Sequence, residues 1–185
     1  VLISEPDEGQ YYGIAKGFEQ ATGDIQAWIN ADDILMPWTF SVVRSIFDRF
    51  PTVDWITGSP SFLSNTGQLT RIYGRLPVYP RHFIANGWYS KTLGAYLQQE
   101  SMFWRRSLWD KVGGLNLELL LAADFELWTR FAQYTDMVPV DIPLAAFRER
   151  PGEQRCSVEE ERYEQEVASV CTDKPQASGL WRLFA

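Results

Sequence analysis

Histidine and cysteine are nearly absent: the chain of 185 residues holds one histidine, His82, and two cysteines, Cys156 and Cys171. Two cysteines are too few for a disulfide framework, and no neighbouring His or Cys gives them a zinc-binding spacing. With no acid or cysteine beside it, His82 reads as a surface or packing residue rather than a catalyst. A reducing, cytoplasmic setting is the expectation, and a peripheral position at the inner face of a membrane is compatible with it. Long hydrophobic runs are also missing. No apolar stretch reaches the ~18 residues a bilayer span needs, so no transmembrane segment is expected. The opening residues lack a basic region followed by an apolar one, so neither is a signal peptide. Basic residues are the minority, 17 Lys and Arg against 24 Asp and Glu, for a formal charge of −7. With no basic stripe anywhere, this balance argues against nucleic acid as the main partner.

The chain does carry enough apolar material, 45 % of its residues, for the core of one domain. Eight Trp and eight Tyr are more than a small core requires. Such amphipathic rings stack on sugars or fill interfaces, and they also pack cores and rims; composition leaves both readings open.

The most informative stretch is Thr-Gly-Asp-Ile-Gln-Ala-Trp-Ile-Asn-Ala-Asp-Asp, residues 22–33. A turn at Thr22, Gly23 and Asp24 feeds an apolar run over 25–29 of the right length for a buried strand. Asp32 and Asp33 then sit side by side where that strand should end, at the sheet edge where α/β folds bind ligands. Adjacent carboxylates repel unless a cation, donor or proton lies between them. A hard divalent ion, Mg²⁺ or Mn²⁺, carrying a phosphate would suit them. A helix-capping loop is the plainer reading, since Asp and Asn favour turns and Pro37 can open a helix.

Around this stretch the pattern is αβ. Residues 1–4 read as a strand without a preceding partner, as in a piece of a longer domain. A turn around Pro6 and Gly9 precedes a helix over 10–20 with Tyr11, Ile14 and Phe18 on one face. Phe40, Val43, Ile46, Phe47 and Phe50 mark a second helix, ended by Pro51, and 53–57 a further strand. An Asn65-Thr66-Gly67 turn joins a hairpin. Residues 76–91 are periodic in nothing.

A strand over 98–106, edged with polar groups, leads into a helix closed by Gly113 and Gly114. Asp124 stands at the start of another helix with Leu127, Trp128 and Phe131 on its apolar face. It is either a cap favoured by the helix dipole or a rigidly held general base, and local sequence does not separate the two. A strand over 137–140 precedes Arg148-Glu149-Arg150-Pro151-Gly152. That is either an anion-binding loop with two guanidinium forks or a solvated charge run. A charged helix over 159–170, a polar linker over 172–179 and a small amphipathic end with Trp181 and Phe184 complete the chain.

Taken in order, Ser4-Glu5-Pro6-Asp7-Glu8-Gly9-Gln10, Ala21-Thr22-Gly23-Asp24, Trp28-Ile29-Asn30-Ala31-Asp32-Asp33, Phe103-Trp104-Arg105-Arg106, Val112-Gly113-Gly114 and Asp124-Phe125-Glu126-Leu127-Trp128-Thr129-Arg130 resemble a glycosyltransferase of family 2. The resemblance covers residues 1–157, with 158–185 left as a C-terminal helix and tail. It implies an α/β, GT-A (Rossmann-like) fold: a mostly parallel central sheet flanked by helices, a small antiparallel hairpin portion, and the first strands missing. It also implies that Asp32 and Asp33 form the DXD-type element for Mn²⁺ or Mg²⁺ and the donor diphosphate, Asp33 being the direct ligand. Asp124 would be the general base of an inverting reaction, with Trp128 and Arg130 supporting its helix. Arg148 and Arg150 would face the donor.

The partners implied are a nucleotide-diphosphate sugar and a hydroxyl acceptor, glycan or lipid-linked, in glycan or cell-surface polysaccharide biosynthesis. The Gln-x-x-Arg-Trp motif of processive synthases does not follow, so single transfer is expected. Ala15 stands where relatives often carry Asn, and Arg148-Glu149-Arg150 where they show Arg-x-His. Those departures, with the missing opening strands, motivate the second reading, an inactive GT-A-like binding or scaffold module.

Overall fold

The computed structural model describes residues 2, 4–73, 79–89 and 97–172. The strand expected over 1–4 falls partly, and the tail with Trp181 and Phe184 wholly, outside the described residues. Helix α1 (Gln10–Gln20) begins after Gly9, whose φ of 143° leaves the chain free to turn. Tyr11 is its one buried side chain. Strand β1 (Ile25–Gln26) follows, then the acidic turn, strand β2 (Ile34–Leu35) and helix α2 (Thr39–Arg49). The inward stripe of α2 is Thr39, Val43 and Phe47, four residues apart. Phe40 and Phe50, counted in the expected stripe, are 71 % and 55 % exposed. The helix is rotated because the Thr39 hydroxyl donates to the Leu144 carbonyl and draws its own face inward.

Strands β3 (Trp55–Thr57), β4 (Ser61–Leu63) and β5 (Leu69–Ile72) come next, the last two forming the expected hairpin with Gly67 at φ 85°. A short helix, α3 (Arg81–Ala85), occupies part of the segment without periodicity. A 3₁₀ turn (Gln99–Ser101) enters β6 (Met102–Arg105), followed by α4 (Arg106–Val112) and α5 (Ala123–Tyr134). The last described elements are β7 (Val138–Pro139), β8 (Ala145–Arg148), α6 (Arg155–Val158) and α7 (Glu160–Val170).

Among the described residues two four-stranded sheets result, ordered β1-β6-β3-β7 and β2-β8-β4-β5. In the first, β1, β3 and β7 share one direction, as the sequence led us to expect. β6 inserts antiparallel between β1 and β3, so neighbouring pairs are mixed rather than mostly parallel. In the second, β8 runs parallel to β4 and antiparallel to β2. β8 was not legible as a strand: its Ala145-Ala146 pair, fully buried, shows no alternation.

The core settles the aromatic question in favour of packing. Trp55, Trp104, Trp128 and Phe131 are buried, and Trp28, Trp109 and Phe18 pack against them. Trp128 sits at the centre, its ring 5.6 Å from Trp55, 5.8 Å from Trp28, 5.5 Å from Trp104 and 5.5 Å from Phe131. Aromatic pairs at these distances contribute roughly 0.5–1.5 kcal/mol each beyond area burial. The body of α5 is therefore held by rings from β1's continuation, β3 and β6. No helix among the described residues is long and apolar enough to cross a membrane.

Where β3 leaves the sheet, Gly58 runs against the segment entering β8. A Cβ there would lie 2.8 Å from the Leu144 backbone nitrogen and 2.8 Å from its Cγ. Backbone at that distance has no room to yield. Gly58→Ala should destabilise the fold by about 1–3 kcal/mol, read as a lower urea midpoint with unchanged slope.

Candidate active site

The acidic doublet is held as a turn and buttoned from across the fold. The Asp33 amide donates to the Asn30 carbonyl at 3.2 Å, closing the turn. Asp33 itself is 9 % exposed. Its Oδ1 accepts the Arg148 amide at 2.9 Å and its Oδ2 accepts Asn30 Nδ2 at 3.3 Å. Burial pushes the Asp33 carboxyl above its ordinary value. The Arg148 amide opposes that, the Asp32 charge reinforces it, and Asn30 opposes it.

The two arginines divide. Arg148 spends its guanidinium on backbone: Nε donates to the Asp32 carbonyl at 2.6 Å, and Nη1 to the carbonyls of Ser64 and Asn65 at 3.2 Å each. It is a staple between turn, β8 and hairpin, where an anion-facing fork was expected. Arg150 is half-exposed and pairs with the Asp32 carboxylate, while its buried Nε has no hydrogen-bond partner.

Asp124 stands in the first turn of α5. The Tyr11 hydroxyl lies 3.0 Å from its Oδ1 and 3.1 Å from the Leu121 carbonyl. Burial pushes the Asp124 carboxyl up, opposed by the Phe125 amide and the Tyr11 hydroxyl. The loop ahead of α5 is clamped from α7. The Glu166 carboxylate accepts the amides of Leu120, Leu121 and Ala122 at 3.1, 2.8 and 3.0 Å. Farther along the helix, Glu126 receives two hydrogen bonds from Arg130, whose Nη1 also reaches the Val112 carbonyl at 2.7 Å and ties α5 to α4.

Consecutive residues of α1 bring the two halves together. Gln10 Nε2 donates to Asn30 Oδ1 at 3.0 Å, and Asn30 holds Asp33; Tyr11 holds Asp124. Glu100 sits on the turn whose Gln99 also meets Asn30, and its carboxyl feels the charge of both acids. It is 3 % exposed, and burial first, then the charges of Asp33 and, more weakly, Asp124, drive its carboxyl well above the usual range. Sequence reading missed it, because Gln-Gln-Glu-Ser looks like the solvated edge of a strand. A cavity of about 670 Å³ between β1 and α2 is lined by Ile25, Trp28, Phe40, Phe47 and Arg105 among others, and by neither Asp33 nor Asp124.

Among the described residues no cluster of three or more His, Cys, Asp or Glu side chains has metal-binding geometry. Two adjacent carboxylates still fit a hard cation that takes most of its remaining oxygens from a substrate phosphate and water. Asp33, desolvated and repelled by Asp32, is the better placed of the two, since Asp32 already faces Arg150.

An acidic turn and a helix-borne carboxylate, both tied to α1, sit on mixed sheets flanked by helices, an α/β architecture. Residues 2–135 match the glycosyltransferase like family 2, and the chain belongs to that family. It is similar to an uncharacterised glycosyltransferase of Mycobacterium tuberculosis, present in two strains. The identity is 27 % over 147 residues, covering 78 % of this chain and 52 % of that protein. The chain thus spans about half the length of the curated relatives it matches. Among solved structures it resembles Staphylococcus aureus TarS 1-349, with a TM-score of 0.58 at 14 % identity over 88 % of this chain and 45 % of that one. The same TarS segment in complex with UDP-GlcNAc gives a TM-score of 0.59 at 16 % identity, over 88 % and 46 %. The α/β GT-A fold expected from the sequence is the fold found.

Two outcomes follow from this geometry. Glu166→Ala leaves three amides without an acceptor and should lower stability by about 2 kcal/mol, with faster hydrogen exchange confined at first to residues 120–122. For Asp124 the sign runs the other way. Its folded-state pKa lies above the unfolded one, so the native state binds the extra proton and stability falls as pH rises through that interval. Asp124→Asn should therefore melt above the wild type at pH 7, and the gap should close as pH drops toward about 4, below which both carry a neutral side chain.

Proposed function

We propose that this chain carries the catalytic part of an inverting glycosyltransferase, moving a sugar from a nucleoside-diphosphate sugar to an acceptor hydroxyl. The observation that carries the reading is the pairing through α1: Gln10 reaches the Asp33 turn by way of Asn30 while its neighbour Tyr11 holds Asp124. Diphosphate and acceptor sites would then be one residue step apart on a single rigid helix. The family match supports the transferase class, and the TarS complex with UDP-GlcNAc supports a nucleotide-sugar donor.

Asp124 takes the proton of the acceptor hydroxyl. That oxygen forms a bond to C1 of the sugar as the bond from C1 to the diphosphate oxygen breaks, and the electron pair leaves with the diphosphate. A carboxylate of raised pKa is a better proton acceptor than a solvated one, and the Tyr11 hydroxyl fixes its orientation. Asp33, with Asp32, would hold Mn²⁺ or Mg²⁺, which when bound supplies positive charge to the departing diphosphate. Arg150, with its unpartnered Nε, adds a second donor on that side. Single transfer to a glycan or lipid-linked acceptor, in glycan or cell-surface polysaccharide assembly, is the pathway class this chemistry fits.

One observation favours a second reading, a binding module without turnover: Arg150 already neutralises Asp32. Assay of the full-length protein with a sugar nucleotide and Mn²⁺ or Mg²⁺ separates the two. Under the transferase reading Asp124→Asn cuts kcat by about 10²–10⁴-fold with donor affinity kept, and Asp33→Ala weakens donor binding as well. Unchanged turnover in both variants, or binding without turnover in the wild type, removes it.

A further inference from the structure

Glu100 has no part in the chemistry above, yet it is the most thoroughly buried acid near it. The 3₁₀ turn that carries it is fixed on every side. Gln98 makes a two-point bond with the Ser61 backbone, its Oε1 accepting the amide at 3.0 Å and its Nε2 donating to the carbonyl at 2.8 Å. Gln99 Nε2 donates to the Trp28 carbonyl at 2.8 Å, and its Oε1 accepts Asn30 Nδ2 at 3.4 Å. The Ser101 carbonyl accepts the Gly58 amide at 3.2 Å. Gln98, Gln99 and Ser101 are themselves buried. The turn thus holds the Glu100 backbone still, and it does so in contact with β2 and β8, the strands that follow Asp33 and carry Arg148.

Held this way, the Glu100 carboxyl has the Gln98 side chain and its own amide beside it, yet its Oε1 is buried with no donor at hydrogen-bonding distance. Buried polar atoms are almost always paired, and one left open at a binding site calls for a partner from outside the chain. Its place says which. Its turn lies beside the diphosphate side, since Gln99 and Asp33 share the Asn30 amide, and the charge of Asp124, on the acceptor side, reaches the same carboxyl. What spans those two ends in the reaction proposed above is the sugar ring whose C1 is attacked. We infer that Glu100 is a donor-binding residue whose Oε1 accepts a hydrogen bond from a hydroxyl of the transferred sugar. The inference rests on the transferase reading and adds to it the residue that recognises the sugar as distinct from the nucleoside diphosphate.

The test is calorimetric, on the full-length protein in Mg²⁺ or Mn²⁺ buffer, with UDP-, GDP- and dTDP-sugars and the matching nucleoside diphosphates. The sugar nucleotide that the wild type binds is the probe. E100Q, which keeps the shape, should weaken that sugar nucleotide by about 10-fold and E100A by about 100-fold, with affinity for the bare nucleoside diphosphate within about twofold of wild type. E100Q should melt no lower than wild type, since it replaces an acid whose charged form is costly at this depth with an isosteric neutral group. If sugar nucleotide and nucleoside diphosphate weaken together, if neither changes, or if E100Q lowers the melting temperature with binding intact, Glu100 is structural. The inference then falls while the transferase reading stands. If the wild type binds none of the sugar nucleotides, the transferase reading fails and this one with it.

Discussion

Holding three carboxyl groups in largely desolvated places, with Glu100 in the field of the other two, is the constraint around which this structure is arranged. Asp33, Glu100 and Asp124 are each driven toward the neutral form by desolvation, and Asp33 and Glu100 also by neighbouring acids. Left to stability alone, such a group would be replaced by an amide or an apolar side chain. The surrounding contacts are what make it tolerable: the Arg148 amide and Asn30 on Asp33, Tyr11 on Asp124, and the two glutamines that pin the turn bearing Glu100. Such a cost, met at three carboxyl groups, supports the active-site reading proposed above.

The aromatic core supplies the stiffness this arrangement needs. Trp128 lies one helical turn beyond Asp124 and is enclosed by Trp28, Trp55 and Trp104, so the helix bearing the carboxylate cannot roll without disturbing three ring contacts. Arg130 adds a second anchor through the end of α4. Five of the eight tryptophans are accounted for by this cluster, which leaves few rings for sugar stacking.

Much of this was written plainly in the chain. The acidic turn was legible because a strand-length apolar run ends on Asn-Ala-Asp-Asp, α1 and α5 because their apolar residues recur at helical spacing, and the hairpin because Gly67 supplies the positive φ its turn needs. What escaped notice shares a cause: local pattern reports average exposure, and these residues depart from the average. Gln98, Gln99, Glu100 and Ser101 look solvated and are buried. Ala145 and Ala146 look like linker and form the strand that brings Arg148 to the doublet. Arg148 and Arg150, two residues apart and identical in type, do different things because one faces backbone carbonyls of the hairpin and the other faces Asp32. The antiparallel course of β6 was likewise invisible, since direction within a sheet is decided by which strands lie between which.

The α7 contact bears on how the molecule should be divided. The family model's match ends at residue 135, and a minimal fragment drawn at that border would look reasonable on sequence grounds. It would discard β8, which buttons the acidic doublet, and Glu166, which gathers the amides leading into α5. Residues 145–170 thus brace the acidic turn and the start of α5 rather than hanging from them. Any excision, fusion or split-protein design that severs this segment would be handling half a machine.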